Sequence, residues 1–222
     1  MSSSETVDAS FPDISRLRVE YRRASLDEDQ VDPDPIRQFV TWLNEAIAAK
    51  VNEPNAMTLA TCKPDGQPSA RMVLLKIVNA DGFAFFTNYD SQKGHQLAQN
   101  PRAALVFFWP ELERQVRIEG TISRTSEHES DEYFGARPPD ARIGAVVSSQ
   151  SAVIESREVL ERRKRELDRQ FPTGDVARPA YWGGYRLMPT RLEFWQGRPS
   201  RLHDRVEYVC EQQKWLIRRL AP

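Results

Sequence analysis

Near its C-terminal end the chain reads Arg201-Leu202-His203-Asp204-Arg205, two fixed cations on either side of a titratable imidazole, with Trp195 shortly upstream. Strand-forming residues flank the stretch, Glu193-Phe194-Trp195 before it and Val206-Glu207-Tyr208-Val209 after it, and Gly197 and Pro199 mark a turn between them. If the second half is extended from Leu202, side chains alternate with period two. Arg201, His203 and Arg205 then share one face, and Leu202 and Asp204 the other. Crowding that much positive charge is unfavourable unless an anion sits opposite. Such a face would bind an anion and place an imidazole, active near neutral pH, beside it. The alternative is a solvated edge strand in which Asp204 neutralises a neighbour.

Further bases stand at suggestive places. Arg71-Met72-Val73-Leu74-Leu75-Lys76 sets a base at each end of an apolar strand. Residues five apart in an unbroken strand point to opposite faces, so either the two bases serve different pockets or a bulge re-aims one of them. Lys93 follows Thr87 and Ser91 at the start of a short helix, and a hydroxyl, a helix N-terminus and a lysine together suit a phosphate. Each base taken singly also reads as an exposed cation. No GxGxxG follows a strand, and no GxxxxGK[ST] or GxSxG occurs, so side chains must do most of any phosphate binding.

The elements that must position these residues come next. Residues 1–30 read as a polar N-terminal arm, mobile at its start, and 31–222 as a single domain. Asp34-Pro35 opens a helix whose apolar stripe is Ile36, Phe39, Val40, Leu43 and Ile47. Strands follow at Ala56–Cys62, Ser69–Val78 and Phe83–Thr87, separated by turns at Lys63–Gln67 and Asn79–Gly82. Ser91 caps a short helix that ends before Asn100-Pro101. Ala103–Trp109 and Gln115–Ser123 form another strand pair. Ser126-Glu127-His128-Glu129 has capping-box spacing and opens a helix toward Arg137-Pro138-Pro139, and Ile143–Val147 sits in a second short helix. Ser156–Phe171 is a charged amphipathic helix with Leu160, Leu167 and Phe171 on one side. The chain closes with strands at Gly184–Leu187, Arg191–Trp195, Leu202–Val209 and Lys214–Arg219. Successive strands with tight turns imply antiparallel pairing: a mostly β, α+β fold built on a closed or partly closed barrel with helices outside.

Composition narrows the classes. Among 222 residues, 31 Lys and Arg balance 32 Asp and Glu to a net charge of −1, so any anion site is a local concentration of bases and nucleic acid is not indicated. Cys62 and Cys210 lie in separate apolar runs, and His95, His128 and His203 are scattered, so no metal site is expected. A reducing cytoplasm is the expected compartment. Met1 to Asp13 lacks an apolar core and carries acids, unlike a signal or transit peptide. No apolar run approaches the roughly 20 residues that span a bilayer.

Several stretches, in order, resemble the pyridoxine (pyridoxamine) 5'-phosphate oxidase family: Arg71-Met-Val-Leu-Leu-Lys76, Phe85-Phe-Thr-Asn88, Glu113-Arg-Gln-Val-Arg117, Ile143-Gly-Ala-Val-Val-Ser148 with Gln150-Ser151, Glu193-Phe-Trp-Gln-Gly197, and Arg201-Leu-His-Asp-Arg205. The similarity runs from about Arg18 to Arg219-Leu-Ala-Pro222. It implies a homodimer with an FMN-binding split antiparallel β-barrel and FMN at the subunit interface. The implied reaction is oxidation of pyridoxine or pyridoxamine 5'-phosphate to pyridoxal 5'-phosphate, with O2 reduced to H2O2.

Position by position, the resemblance implies that Arg71, Met72, Val73, Leu74, Leu75, Lys76, Phe86, Thr87, Gln92, Lys93, Gln115, Gln150, Ser151, Trp195 and Arg205 hold FMN. It assigns Lys76, Tyr133, Arg137 and Ala141 to the substrate phosphate, Arg201, Leu202 and His203 to the substrate ring, and Arg18, Val19, Glu20 and Tyr21 to an arm folding over it. Arg201 and His203 are the implied catalytic pair: Arg201 clamps the ring, His203 hydrogen-bonds the substrate, and Arg205 favours negative charge on the reduced flavin. On this view Arg71 and Lys76 need not share a face, because they serve different phosphates. Gln92 departs from the family pattern where an arginine is usual, and Ala141 where a serine is common. Two other readings remain open: a related flavin oxidase acting on another ring, and a non-catalytic binder of FMN or pyridoxal phosphate.

Overall fold

The computed structural model describes residues 20–222. Helix α1 (Pro35–Ala48) starts as expected: the Asp34 carboxylate accepts from the Ile36 N–H at 2.8 Å, and Pro35 fills the first turn. Its buried face is rotated from the expected stripe. Pro35, Gln38, Phe39, Trp42 and Ala46 face inward, whereas Ile36, Val40 and Leu43 are half-buried and Ile47 is 55% exposed. The aromatics set the rotation, with Phe39 packing on Phe83 and Phe107 and Trp42 meeting Phe194 edge-on at 5.2 Å.

Nine antiparallel strands among these residues make one curled sheet: β1 (Ala56–Cys62), β2 (Pro68–Leu74), β3 (Ile77–Asn79), β4 (Gly82–Asn88), β5 (Arg102–Trp109), β6 (Arg114–Arg124), β7 (Trp182–Gln196), β8 (Asp204–Glu211) and β9 (Lys214–Arg219). Their order is β2-β1-β5-β6-β7-β4-β3, with β8 also on β7 and β9 on β8. The remaining helices are α2 (Gln92–Gln99), α3 (Glu127–Ala136), α4 (Pro139–Val147) and α5 (Arg157–Gln170). This is the antiparallel, partly closed barrel with helices outside that the strand pattern implied, and the split barrel that the family resemblance implied.

Three strand assignments are corrected. The expected Ser69–Val78 strand breaks after Leu74, because the Leu75 N–H turns to the Asn55 carbonyl while Lys76 donates to Ala84. The expected strands Gly184–Leu187 and Arg191–Trp195 are one 15-residue strand, β7. Met188-Pro189-Thr190 is a bulge within it, not a turn: Glu119 pairs with Arg191 and Gly120 with Pro189, leaving Thr190 extra. Gly120 is needed there, since a Cβ would strike the Met188 carbonyl. The bulge lets one half of β7 pair with β4 and the other with β8.

The third correction concerns the basic stretch. β8 begins at Asp204, not Leu202, and a 3-10 turn occupies Pro199–Arg201. Ser200 and Arg201 both take positive φ, 57° and 61°. Arg201 therefore does not share a strand face with His203 and Arg205. Two successive left-handed non-glycine residues are costly and mark the turn as held by its surroundings.

The main core lies between α1 and the sheet; Leu59, Phe83, Phe107, Ile118 and Phe194 are fully buried in it. A second cluster, Phe134, Ile143, Val147, Val176 and Trp182, joins α3 and α4 to the start of β7, and Leu160 and Leu167 of α5 with Phe171 at its C-cap pack on it. The space between this second cluster and β2–β4 is where the candidate site lies.

Candidate active site

The first cluster is cationic and lacks a counter-charge among the described residues. Lys93, in the first turn of α2, donates to Gln150 Oε1 at 2.8 Å and to the hydroxyls of Thr87 and Ser91 at 3.2 Å each. Arg71 donates to Thr61 Oγ1 at 2.6 Å and Ser69 Oγ at 2.7 Å. All these acceptors are neutral. Burial, and then the Arg71 charge, push the Lys93 ammonium down to about 8. Burial likewise lowers Arg71. Two partly desolvated cations with neutral partners, beside the N-terminus of α2, fit a phosphate monoester.

A cavity of about 650 Å3 opens beside this cluster. Its lining includes Met72, Val73, Leu74 and Lys76 from the broken strand, Phe86, Thr87 and Lys93, Tyr133, Arg137 and Ala141 from the α3–α4 region, and Gln150. Arg137 Nη1 is buried without a hydrogen-bond partner among the described residues. Burial lowers the Arg137 guanidinium's proton affinity, and Tyr133 opposes that shift. An orphaned buried donor on a cavity wall calls for a partner from the cavity, and an anion is one that a guanidinium suits. A second cation suited to an anion thus lies on the same cavity as Lys93.

The third group sits on the outer face of β6–β7–β8. Gln115, Trp195 and Arg205 are direct cross-strand partners, so their side chains share one face. Arg205 donates to both carboxylate oxygens of buried Glu193, at 2.8 and 3.0 Å, and to the Ala221 carbonyl. The His203 ring lies 4.7 Å from Trp195, and Tyr21 meets both rings edge-on. The Arg198 N–H donates to His203 Nδ1 at 3.1 Å. Burial first, then the Arg201 charge, lower the imidazole below its ordinary value, while Asp204 opposes them. Arg201 and Leu202 are exposed.

The arm is tied to this group. Glu113, itself left-handed, accepts the N–H groups of Arg22 and Arg23 at 2.9 Å each. Arg219 pairs with Asp27, Glu28 and Asp204 and donates to the Leu26 carbonyl. Asp204 is thus the neutralising residue that the solvated-strand reading supposed.

Comparison with known proteins bears on what these groups serve. The family profile described as Pyridoxamine 5'-phosphate oxidase matches residues 43–170, and that of the Pyridoxine 5'-phosphate oxidase C-terminal dimerisation region matches 182–222. A pyridoxine/pyridoxamine 5'-phosphate oxidase of Gloeothece citriformis (strain PCC 7424) is 58% identical over 210 residues, covering 94% of this chain and 98% of the relative. The chain belongs to the pyridoxine/pyridoxamine 5'-phosphate oxidase family. The Burkholderia cenocepacia (strain HI2424) oxidase is 57% identical over 213 residues, covering 94% of this chain and 99% of its own. Among solved structures, PhzG from Burkholderia lata 383 in complex with tetrahydrophenazine-1-carboxylic acid superposes with TM-score 0.87 at 30% identity, covering 92% of this chain and all 100% of its own. A pyridoxamine 5'-phosphate oxidase-related, FMN binding protein from Nostoc punctiforme PCC 73102 shares the fold: TM-score 0.68, 19% identity, 86% of this chain and 100% of that one.

Of the residues that the oxidase resemblance implied, the structure gathers Met72, Val73, Leu74, Lys76, Phe86, Thr87, Lys93, Tyr133, Arg137, Ala141 and Gln150 on one cavity. Gln92 and Ser151 line an adjoining cavity of about 510 Å3 that shares Asn88 and Gln150 with it, and the Gln92 N–H donates to Ser151 Oγ. Leu75 is buried in the core, with its N–H and carbonyl both bonded to Asn55. Gln115, Trp195, Arg205, Arg201, Leu202 and His203 do not line the cavity of their own chain. Tyr21 sits with that C-terminal group, Glu20 is exposed and pairs with Arg22, and Arg18 and Val19 lie outside the described residues. Sequence reasoning missed Trp182, which lines the cavity, and Glu193, which holds Arg205. A tryptophan opening a strand carries no periodic signal, and the Glu193–Arg205 pairing is a register fact.

Proposed function

We propose that this chain oxidises pyridoxine 5'-phosphate or pyridoxamine 5'-phosphate to pyridoxal 5'-phosphate, as an FMN-dependent homodimer that reduces O2 to H2O2. The observation that carries the reading is the pair of cationic groups on one aromatic-walled cavity, Lys93 and Arg137 with Tyr133, with the Arg71 charge acting on Lys93 from off the cavity wall. One phosphate belongs to the cofactor and one to the substrate. The C-terminal group, off its own chain's cavity and within the family's dimerisation region, then faces the cavity of the second subunit. Two free cysteines fit a reducing cytoplasm.

When bound, FMN supplies hydride acceptance and the reaction with O2. The alcohol loses two electrons and two protons while O2 becomes H2O2; the amine also consumes a water and releases ammonia. Lys93, Thr87 and Gln150 hold the cofactor phosphate. Arg137, Tyr133 and Lys76 fix the substrate phosphate, and orientation of this kind removes several kcal/mol from a barrier. Arg201 offers a flat, permanently charged guanidinium for the pyridine ring. His203, its Nδ1 accepting from Arg198, is left with its proton on Nε2 and acts as a hydrogen-bond donor to the substrate. Residues 20–23, bound to Glu113, cover the site's outer side.

A second reading rests on the likeness to PhzG: the same cavity serving an unphosphorylated carboxylic acid ring. The test is H2O2 release by FMN-loaded protein given pyridoxine 5'-phosphate, pyridoxine, or a carboxylated dihydroaromatic ring. Peroxide with the phosphorylated vitamer alone supports oxidation of that vitamer. Protein that holds FMN yet leaves it untouched is a binder and rejects the proposal.

A further inference from the structure

Arg137 is held in an unusual way for a half-buried cation. Among the described residues it has no carboxylate partner; its guanidinium carbon instead lies 4.7 Å from the centre of the Trp182 ring and 5.6 Å from that of Phe134. Trp182 is itself one of three near-parallel rings. Phe86 and Tyr133 stack at 4.0 Å and 16°, Phe86 and Trp182 at 5.8 Å and 14°, and Tyr133 and Trp182 lie 2° from parallel. Arg178 fastens the arrangement, donating to the Trp182 carbonyl at 2.6 Å and to Asp131 of α3 at 2.6 Å, with Glu127 as a further partner. The indole therefore keeps a fixed position against the helix that carries Tyr133 and leads into Arg137.

The choice of partner matters chemically. A carboxylate would occupy the in-plane N–H groups of the guanidinium, the same donors that a phosphate needs. An aromatic ring attracts the charge through its π face and takes no N–H group as a carboxylate oxygen would. Arg137 Nη1 is left without a partner in this way. We infer that Trp182 is a positioning residue for substrate: its ring holds the Arg137 guanidinium in place without a carboxylate, so that the free N–H groups meet the substrate phosphate. This rests on the proposed oxidation of a phosphorylated vitamer, and it adds a residue that touches Arg137, not the reacting carbon.

The test compares wild type, Trp182→Phe and Trp182→Leu as FMN-loaded proteins. KM and kcat are measured with pyridoxine 5'-phosphate, and equilibrium binding of pyridoxal 5'-phosphate by calorimetry. A cation–π contact of ordinary strength predicts that Trp182→Leu weakens KM and binding about tenfold, with kcat within about twofold of wild type. Trp182→Phe, with a smaller ring face, falls between at about two- to fourfold. Wild-type binding in Trp182→Leu, or a fall in kcat with KM unmoved, overturns the inference. If Trp182→Leu does not fold, Trp182→Phe decides: wild-type KM and binding there overturn it. Wild-type protein that oxidises no vitamer would reject the proposed function instead, and the calorimetry would still read the role of Trp182.

Discussion

The backbone N–H of Arg198 donates to Nδ1 of His203 at 3.1 Å. Only an imidazole lacking a proton on Nδ1 accepts that bond, so this contact and the lowered proton affinity of His203 favour the same neutral form. Two consequences follow for catalysis: Nε2 is a donor, and the ring is not a strong base.

Activity should therefore hold above the lowered histidine value and fall as pH drops through it, where the protonated ring must abandon Arg198. A kcat/KM profile checks this, with the acid limb expected below the ordinary histidine value of about 6.5. Replacing His203 by Leu should lower kcat/KM about 10- to 100-fold by removing one substrate hydrogen bond. Gln, which keeps a donor, should retain more.

Lys93 supplies the opposite limb. Its ammonium titrates at about 8 without an anion, because burial and Arg71 disfavour the charge. A bound phosphate favours the protonated form, so FMN affinity should be constant below about 8 and decline as pH rises through it. Fluorescence titration of FMN into apoprotein measures this. Lys93→Met should bind weakly at every pH and lose that dependence.

Gly197 is the seat of the arm. A Cβ there would lie 2.6 Å from Tyr21 Cγ and 2.8 Å from Tyr21 Cβ. Gly197→Ala should displace Tyr21 from Trp195 and His203, raise KM several-fold, and speed proteolysis near residues 20–23. Combined with Tyr21→Ala it should add little, since both act through one contact.

Arg205 depends on Glu193, whose side chain is only 4% exposed and also meets Arg117 at 3.2 Å. Glu193→Ala leaves two arginines without their buried partner and should cost about 3 kcal/mol of stability. Denaturant unfolding measures that loss. The same pairing tempers the expectation that Arg205 favours a negative flavin, because its charge is already largely balanced.

Much of this architecture was legible in the sequence wherever the signal is local. Asp34-Pro35, Lys63–Gln67, Ser91 and the Ser126–Glu129 capping box each mark an element boundary through chemistry within four residues. The break at Leu75-Lys76 was not legible, because Asn55, far away in sequence, draws Leu75 out of the strand. Nor was the bulge at Thr190, which exists only relative to β6. The shared face proposed for Arg201, His203 and Arg205 failed for a similar reason: Ser200 and Arg201 are forced left-handed by a turn no dipeptide signals. In the site, the grouping of Thr87 and Lys93 was readable from one helix start. Their convergence on Gln150, 57 residues beyond Lys93, comes from the packing of α4 and the loop after it.

The most direct measurement is complementation between subunits. On the proposed function, Arg137→Leu removes the phosphate anchor of the cavity and Arg201→Leu the ring clamp of the C-terminal group, so each homodimer should be nearly inactive with pyridoxine 5'-phosphate. If each site combines one chain's cavity with the other chain's C-terminal group, a heterodimer of the two variants contains one intact site. Co-expressed and purified as the mixed dimer, it should recover about half of the wild-type peroxide release. A mixed dimer no more active than its parents would contradict the shared site.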